Sequence, residues 1–282
     1  MTLFSATLSP LSKTARTASL TAGLALTGLV VLAALLSFFW TPYDPTAIAV
    51  AGRLAPPSAT HWFGTDAYGR DVLSQVLAGS QSALGVALAA VVVGLGGGVP
   101  LGLLAAGRRG WVDEVAMRGS DVVFAFPALV TAVLIAAVAG HGALDAIAAI
   151  GIFNIPVFAK VTRAAALGVW AQDYALAARL AGKGRGRISR EHVLPNITGL
   201  LLVQATIQLS LGIVADAGLS FVGLGTQAPR PSWGRMLADA QTLAGQAPWL
   251  LIVPGLAVVA AVLGLNLLGD GLRARLNPGR GA

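Results

Sequence analysis

Six stretches of this chain carry no charged side chain at all: residues 17–40, 72–107, 122–140, 146–159, 199–215 and 249–269. Lipid offers no water to a peptide group, so a chain that crosses it must satisfy its own backbone, as a helix or a closed barrel. About 20 helical residues rising ~1.5 Å each cover the ~30 Å hydrocarbon core. Five of the six stretches can span it. The fourth does so only if Gly142 to Asp145 contribute at its outer end. It also carries Asn154 and Pro156, which a membrane helix tolerates where neighbours satisfy the freed groups. Composition agrees with lipid rather than water around the chain: 56% of residues are hydrophobic and 11% charged, against roughly 25% charged in soluble proteins. The expected fold is all-α and polytopic, with six transmembrane helices.

Lys13 and Arg16 precede the first apolar run, as they would in a signal peptide. The run ends instead in Phe38, Phe39 and Trp40 with no small-residue cleavage site, which fits an anchored helix with an aromatic interfacial belt. With six helices, 15 of the 19 Lys and Arg fall on one side, leaving Arg53, Arg70, Arg230 and Arg235 on the other. The positive-inside rule then places both termini in the cytoplasm. The expected layout is an inner tail over 1–16, the first helix over 17–40 and an outer loop over 41–71. A five-helix core follows over 72–272, with an inner loop at 162–195 and an outer loop at 226–248, and then an inner tail over 273–282.

The net charge of +7 is therefore topological, and nucleic acid is not an expected partner. The basic run from Lys183 to Arg190 has no aromatic platform beside it. Absent cysteine removes disulfides and thiolate chemistry, and His61, His141 and His192 form no local metal-ligand spacing. The pair Asp113 and Glu114 sits in a basic inner segment and reads as a solvated surface pair. Gly94, Gly96, Gly97 and Gly98 lie inside an apolar span with no strand before them. Close helix packing, with Gly98 and Gly102 as a G-x-x-x-G pair, explains them better than a dinucleotide loop. The expectation is no enzyme, no cofactor and no metal.

The inner loop is the most informative segment. Asp173 opens an Ala-rich helix through Tyr174, Ala177, Ala178 and Arg179, and Gly182 supplies its stop. A second short helix is expected from about Gly186 to Val193, with Leu194 and Pro195 at the mouth of the next span. Small on one side and basic on the other, with Lys183 and Arg187, this helix–turn–helix suits a groove on a partner. A connector binding lipid headgroups has the same residues, and the segment alone leaves both readings open.

Ala177, Ala178, Gly182, Leu194 and Pro195 stand at the spacing of the cytoplasmic "EAA" signature. That signature belongs to permease subunits of bacterial binding-protein-dependent ATP-binding cassette importers, which the segment resembles. Leu176 replaces the signature's Glu and His192 its Ile. Two further runs resemble the second-permease type of the dipeptide/oligopeptide/nickel group: His61 to Asp66 continuing through Gly69, Arg70 and Asp71, and Leu219 to Gly225 followed by Pro231, Ser232, Trp233 and Gly234. The resemblance implies a type I permease with a cytoplasmic coupling helix, in the bacterial inner membrane. It implies a heterodimer with a second homologous permease, two cytoplasmic ATPase subunits and a periplasmic binding protein as partners, with membrane lipid around them. It implies ATP hydrolysis by separate subunits, and no Walker A pattern surrounds Gly182 and Lys183. Its substrates include dipeptides, longer peptides, nickel chelates and glutathione.

Tyr174, Ala177, Ala178, Gly182, Lys183, Arg187, Leu194 and Pro195 are the expected ATPase-coupling residues. Asp216, about 30 Å along its helix from Asn196, is with Ser220 and Phe221 a candidate for the outer mouth of the pathway. A carboxylate satisfying backbone or a neighbouring helix is the other reading of Asp216. The competing function is an ion-coupled secondary transporter acting alone. Charge-free spans and the lack of an obvious repeat weigh against it.

Overall fold

The computed structural model describes residues 13–126, 130–131, 133–134 and 142–276. Most of the expected third span, 122–140, and most of both tails lie outside the described residues. The chain is all-α. Its helices are α1 (Lys13–Leu36), α2 (Val72–Arg108), α3 (Trp111–Phe124), α4 (Ala143–Trp170), α5 (Asp173–Leu180), α6 (Arg185–Ile188), α7 (Leu194–Phe221), α8 (Trp233–Ala240) and α9 (Trp249–Leu276). Among the described residues five helices are long and apolar enough to cross a membrane. They correspond to five of the six uncharged stretches. Leu24, Leu29, Leu32 and Leu35 on α1, Leu88 and Val92 on α2, and Ile252, Leu256 and Val259 on α9 are exposed, the placement that lipid requires.

The fourth span is longer than its uncharged stretch. Helix α4 includes Lys160 and Arg163, and both are paired with α3: Lys160 Nζ lies 2.5 Å from Asp121 Oδ1, and Arg163 makes a two-pronged contact with Asp113. Hydrogen bonds from Arg163 outweigh burial and hold the Asp113 carboxyl below its ordinary range. The expected solvated acid is thus an anchor for α4. Residues 162–170, expected in the inner loop, are helical for the same reason.

Helix α2 packs chiefly on α4, α1 on α9, and α7 against α9, α2 and α4. Glycine sets the closest of these approaches. A Cβ on Gly94 would come 2.5 Å from Asn154 Cβ, one on Gly102 2.5 Å from the Ala159 carbonyl oxygen, and one on Gly98 would overlap the Ile155 carbonyl. Along α1 and α9, Gly23, Gly264 and Gly271 play the same part. The packing reading of the glycine cluster holds.

The outer loop closes on the end of α2. Asp71 caps that helix by accepting from the Ser74 N–H at 2.8 Å, and its other oxygen lies 2.9 Å from His61 Nδ1. Asp66 accepts from Arg70 Nε at 2.7 Å and Gln75 Nε2 at 3.0 Å. Trp249 of α9 donates to the Thr65 carbonyl at 3.3 Å. Trp233 is a core plug: it is 2% exposed and donates to the Val76 carbonyl at 3.0 Å.

Gly98→Ala must push α4 away from α2 and should cost about 1–3 kcal/mol, the range for overpacking. Gly96→Ala, where a Cβ meets open space, should be neutral or stabilising by up to about 1 kcal/mol. Thermal midpoints of the two purified variants check the pair; equal midpoints would remove the glycine contact as a determinant of the fold.

Candidate functional site

Between the inner ends of α4 and α7 the chain makes a compact helix–turn–helix. Helix α5 stops as its sequence dictates: Gly182 has φ +81°, its N–H bonds the Arg179 carbonyl at 3.0 Å, and the Lys183 N–H bonds the Ala178 carbonyl at 3.1 Å. This is a Schellman closure with glycine in its left-handed seat. A Cβ at Gly182 would meet nothing within 4 Å, so backbone conformation alone constrains the position.

The second helix differs from expectation. After α6 the chain passes through a π turn, Ser189–Val193, straight into α7, with no break before Pro195. Proline has no N–H and its ring crowds the preceding turn. The wider π turn, in which Leu194 bonds back to Ser189, accommodates it. Asn196 Nδ2 then satisfies the His192 carbonyl at 2.6 Å.

Two faces result. Inward, Ala175 and Ala178 of α5, Ile188 of α6 and Val193 are buried. Ala178, Ile188 and Val193 share one apolar cluster with Phe158 of α4 and Ile197 and Leu201 of α7. Outward, Tyr174, Leu176 and Leu180 stand exposed, Leu180 at 90%. Ala177 is exposed among them, and Leu194 is half-buried with Pro195 exposed at the base of α7. Glu191 ties the hairpin together, accepting from Lys183 Nζ at 2.7 Å and Arg187 Nε at 2.6 Å, and Lys183 also lies 3.2 Å from His192 Nε2. Sequence reasoning missed Glu191, Leu176, Leu180 and Ile188. Spacing across the helix stop, Glu191 four residues after Arg187 and eight after Lys183, was the signal for the first.

The three outer candidates separate. Asp216 is 2% exposed, with Oδ1 lacking a hydrogen-bond partner among the described residues. Ser220 is buried and accepts from the Thr226 N–H at 3.2 Å, fastening the chain as it leaves α7. Phe221 is exposed. A groove of about 340 Å³ opens between α4 and α7 instead, walled by Ile150, Phe153, Leu211 and Val214. Its floor carries the charge-free polar pair Asn154 and Gln208, with Gln208 Nε2 donating to Asn154 Oδ1 at 2.6 Å.

A family model described as "Binding-protein-dependent transport system inner membrane component" matches residues 98–281. The chain is 40% identical over 228 residues to a dipeptide transport system permease protein of Alkalihalophilus pseudofirmus, covering 81% of this chain and 75% of that one. It is 39% identical over 256 residues to a glutathione transport system permease protein of Pectobacterium atrosepticum, covering 89% and 85%. It is 41% identical over 256 residues to a di/tripeptide transport system permease protein of Pseudomonas aeruginosa, covering 89% and 84%. In fold it is similar to a chain of the methionine ABC transporter MetNI in an inward-facing form, with a TM-score of 0.61 at 19% identity over 72% of this chain and 96% of that one.

Glu191→Gln removes the shared acceptor of two ion pairs at the hairpin. Exposed pairs stabilise only modestly, so backbone hydrogen exchange over 182–188 should quicken severalfold, with exchange in α4 and α7 unchanged. Unaltered exchange over 182–188 would show that the turn holds its shape without Glu191.

Proposed function

The chain belongs to the family of binding-protein-dependent transport system inner membrane components, and from that membership we propose that it forms half of the translocation pathway of an ATP-driven importer. The other half is a second, homologous permease. Two cytoplasmic ATPase subunits supply energy, and a periplasmic binding protein delivers a short peptide or a peptide-like solute such as glutathione, as the relatives' names suggest. Family membership sets aside the stand-alone secondary carrier. Both termini lie in the cytoplasm, in accord with the charge asymmetry.

One observation carries the coupling role: an exposed apolar tip, Tyr174, Leu176 and Leu180, stands on a base locked into α4 and α7. Apolar side chains exposed at an aqueous face seek a partner surface, and this one fits a groove on an ATPase subunit. Lys183 and Arg187 stiffen the hairpin through Glu191, and Gly182 sets its angle. When the ATPases close on ATP, the push on α5 passes through Ala178 and Ile188 to Phe158 and Leu201, and α4 and α7 move together. The groove between those helices, with Asn154 and Gln208 on its floor, is the pathway face. Its amides offer hydrogen bonds to peptide groups without selecting charge. Phe221, exposed at the end of α7, and the buried Asp216 are not among its lining residues, and Ser220 fastens the exit of α7.

Cysteine is absent, so single introduced thiols report orientation without background. Ser58→Cys should label with an impermeant maleimide from the periplasmic side, and Gln172→Cys only after the membrane is opened. The reverse pattern would overturn the orientation.

Gly182 tests coupling in the reconstituted complex. Asn accepts a positive φ readily and Val does not, and neither meets a neighbour. Gly182→Asn should keep ATPase stimulation by loaded binding protein, whereas Gly182→Val should lose stimulation and uptake with the subunits still assembled. Full stimulation in the Val variant would remove α5 as the coupling element.

A further inference from the structure

We propose that the inner end of α2 and the start of α6 together form a binding site for the headgroup of an acidic phospholipid. A groove of about 550 Å³ lies between them. One wall is Pro100, Leu103 and Leu104 in the last apolar turns of α2, and Leu104 is exposed. The rim is Arg108, where the uncharged run ends, with Arg185 and Gly186 of α6 and Ser189 of the π turn. The groove thus passes from apolar to cationic within two turns of α2, at the depth where a bilayer passes from acyl chain to headgroup.

The polar groups facing it are unsatisfied. Lys160, Arg163, Lys183, Arg187 and Arg118 all have acidic partners. Arg108 and Arg185 have none among the described residues. Ser189 is 8% exposed, lines the groove, and its hydroxyl makes no hydrogen bond to a described residue. Behind it the Trp170 indole N–H is buried without a partner among the described residues. Gly107 keeps the space between them open: a Cβ there would stand 3.6 Å from the Trp170 ring and 3.7 Å from Ser189 Oγ. Two guanidiniums and a buried hydroxyl above an apolar wall complement a phosphate on an acyl-bearing molecule. A soluble anion would leave Leu103 and Leu104 uncovered, and a neutral lipid would carry a cation toward Arg108 and Arg185. An acidic lipid meets both conditions, since each cationic residue near a membrane adds about 1 kcal/mol of attraction to acidic lipid.

Because Arg185 and Ser189 belong to the hairpin that carries the coupling tip, the lipid would brace that hairpin against α2. The inference rests on α2 being a membrane span and is independent of what is transported.

The test uses the full-length protein, with whatever subunits co-purify, in nanodiscs of phosphatidylcholine with or without phosphatidylglycerol. Two readouts are taken, the thermal midpoint and the phosphatidylglycerol retained in native mass spectra. Phosphatidylglycerol should raise the midpoint by several degrees. The double variant Arg108→Gln/Arg185→Gln should lose that rise and retain the lipid roughly tenfold less well. Arg108→Lys/Arg185→Lys should keep most of both, and Arg273→Gln/Arg275→Gln, equal in charge change but distant in the chain, should keep both in full. Each variant is compared with its own midpoint in phosphatidylcholine, so a general loss of stability does not mimic the effect. A persistent rise in the Arg108/Arg185 Gln variant, or an equal loss in the Arg273/Arg275 variant, would overturn the site. So would the same rise produced by glycerol phosphate in solution, which would make it an aqueous anion site.

Discussion

Helices in lipid gain little by hiding apolar side chains from one another, because the solvent they leave is itself apolar. Contact must supply the attraction, and contact requires that backbones come near. Gly94, Gly98 and Gly102 meet this requirement between α2 and α4. That pairing is the frame on which the others are hung: α4 brings Phe158 against the inner cluster, and α2 presents the Val76 carbonyl to Trp233 and its outer end to the loop. Two buried polar groups within the frame, Asn154 and Gln208, share a hydrogen bond. Such sharing lets a charge-free span contain hydrogen-bonding capacity without paying to bury it unpaired.

The inner end works by a different rule. There the chain meets water, and ion pairs and apolar burial combine. Asp113 and Asp121 hold α3 to α4, and Glu191 holds the turn after Gly182 to the π turn. Ala178 and Ile188 insert beneath, so the hairpin is seated in the membrane domain rather than tethered to it. The residues left outside this seating, Leu176 and Leu180 above all, stay exposed among the described residues. A surface assembled this way is complementary to something else.

Sequence made the periodic and the local features legible. Uncharged runs of adequate length and a glycine at the end of an Ala-rich helix act through neighbours in the chain, glycines spaced by four mark one face of a helix by spacing alone, and the structure realises all three. What escaped depended on contacts distant in sequence. Lys160 and Arg163 looked like the end of a span because their partners, Asp121 and Asp113, lie 39 and 50 residues away. Position along the helix left Asp216 with two readings, a mouth residue or a carboxylate held by its neighbours, and helix rotation, which length does not give, is what buries it. The helix–turn–helix after α4 was half legible: Gly182 and the alanines set its shape, but Leu176 registered as a departure from a signature when its exposure is the informative fact.

The uninterrupted run from α6 through the π turn into α7 has a mechanical consequence. From Arg185 to Phe221 the chain forms one rod of 37 residues, about 55 Å long at the helical rise. A rod of that length is a lever: a tilt of about ten degrees about its middle moves the two ends by roughly 5 Å each, in opposite directions. Pro195, which would ordinarily put a joint between handle and shaft, is absorbed by the π turn instead. A displacement at the Arg185 end therefore reaches the residues beside Val214 and Phe221 as geometry, within a single element.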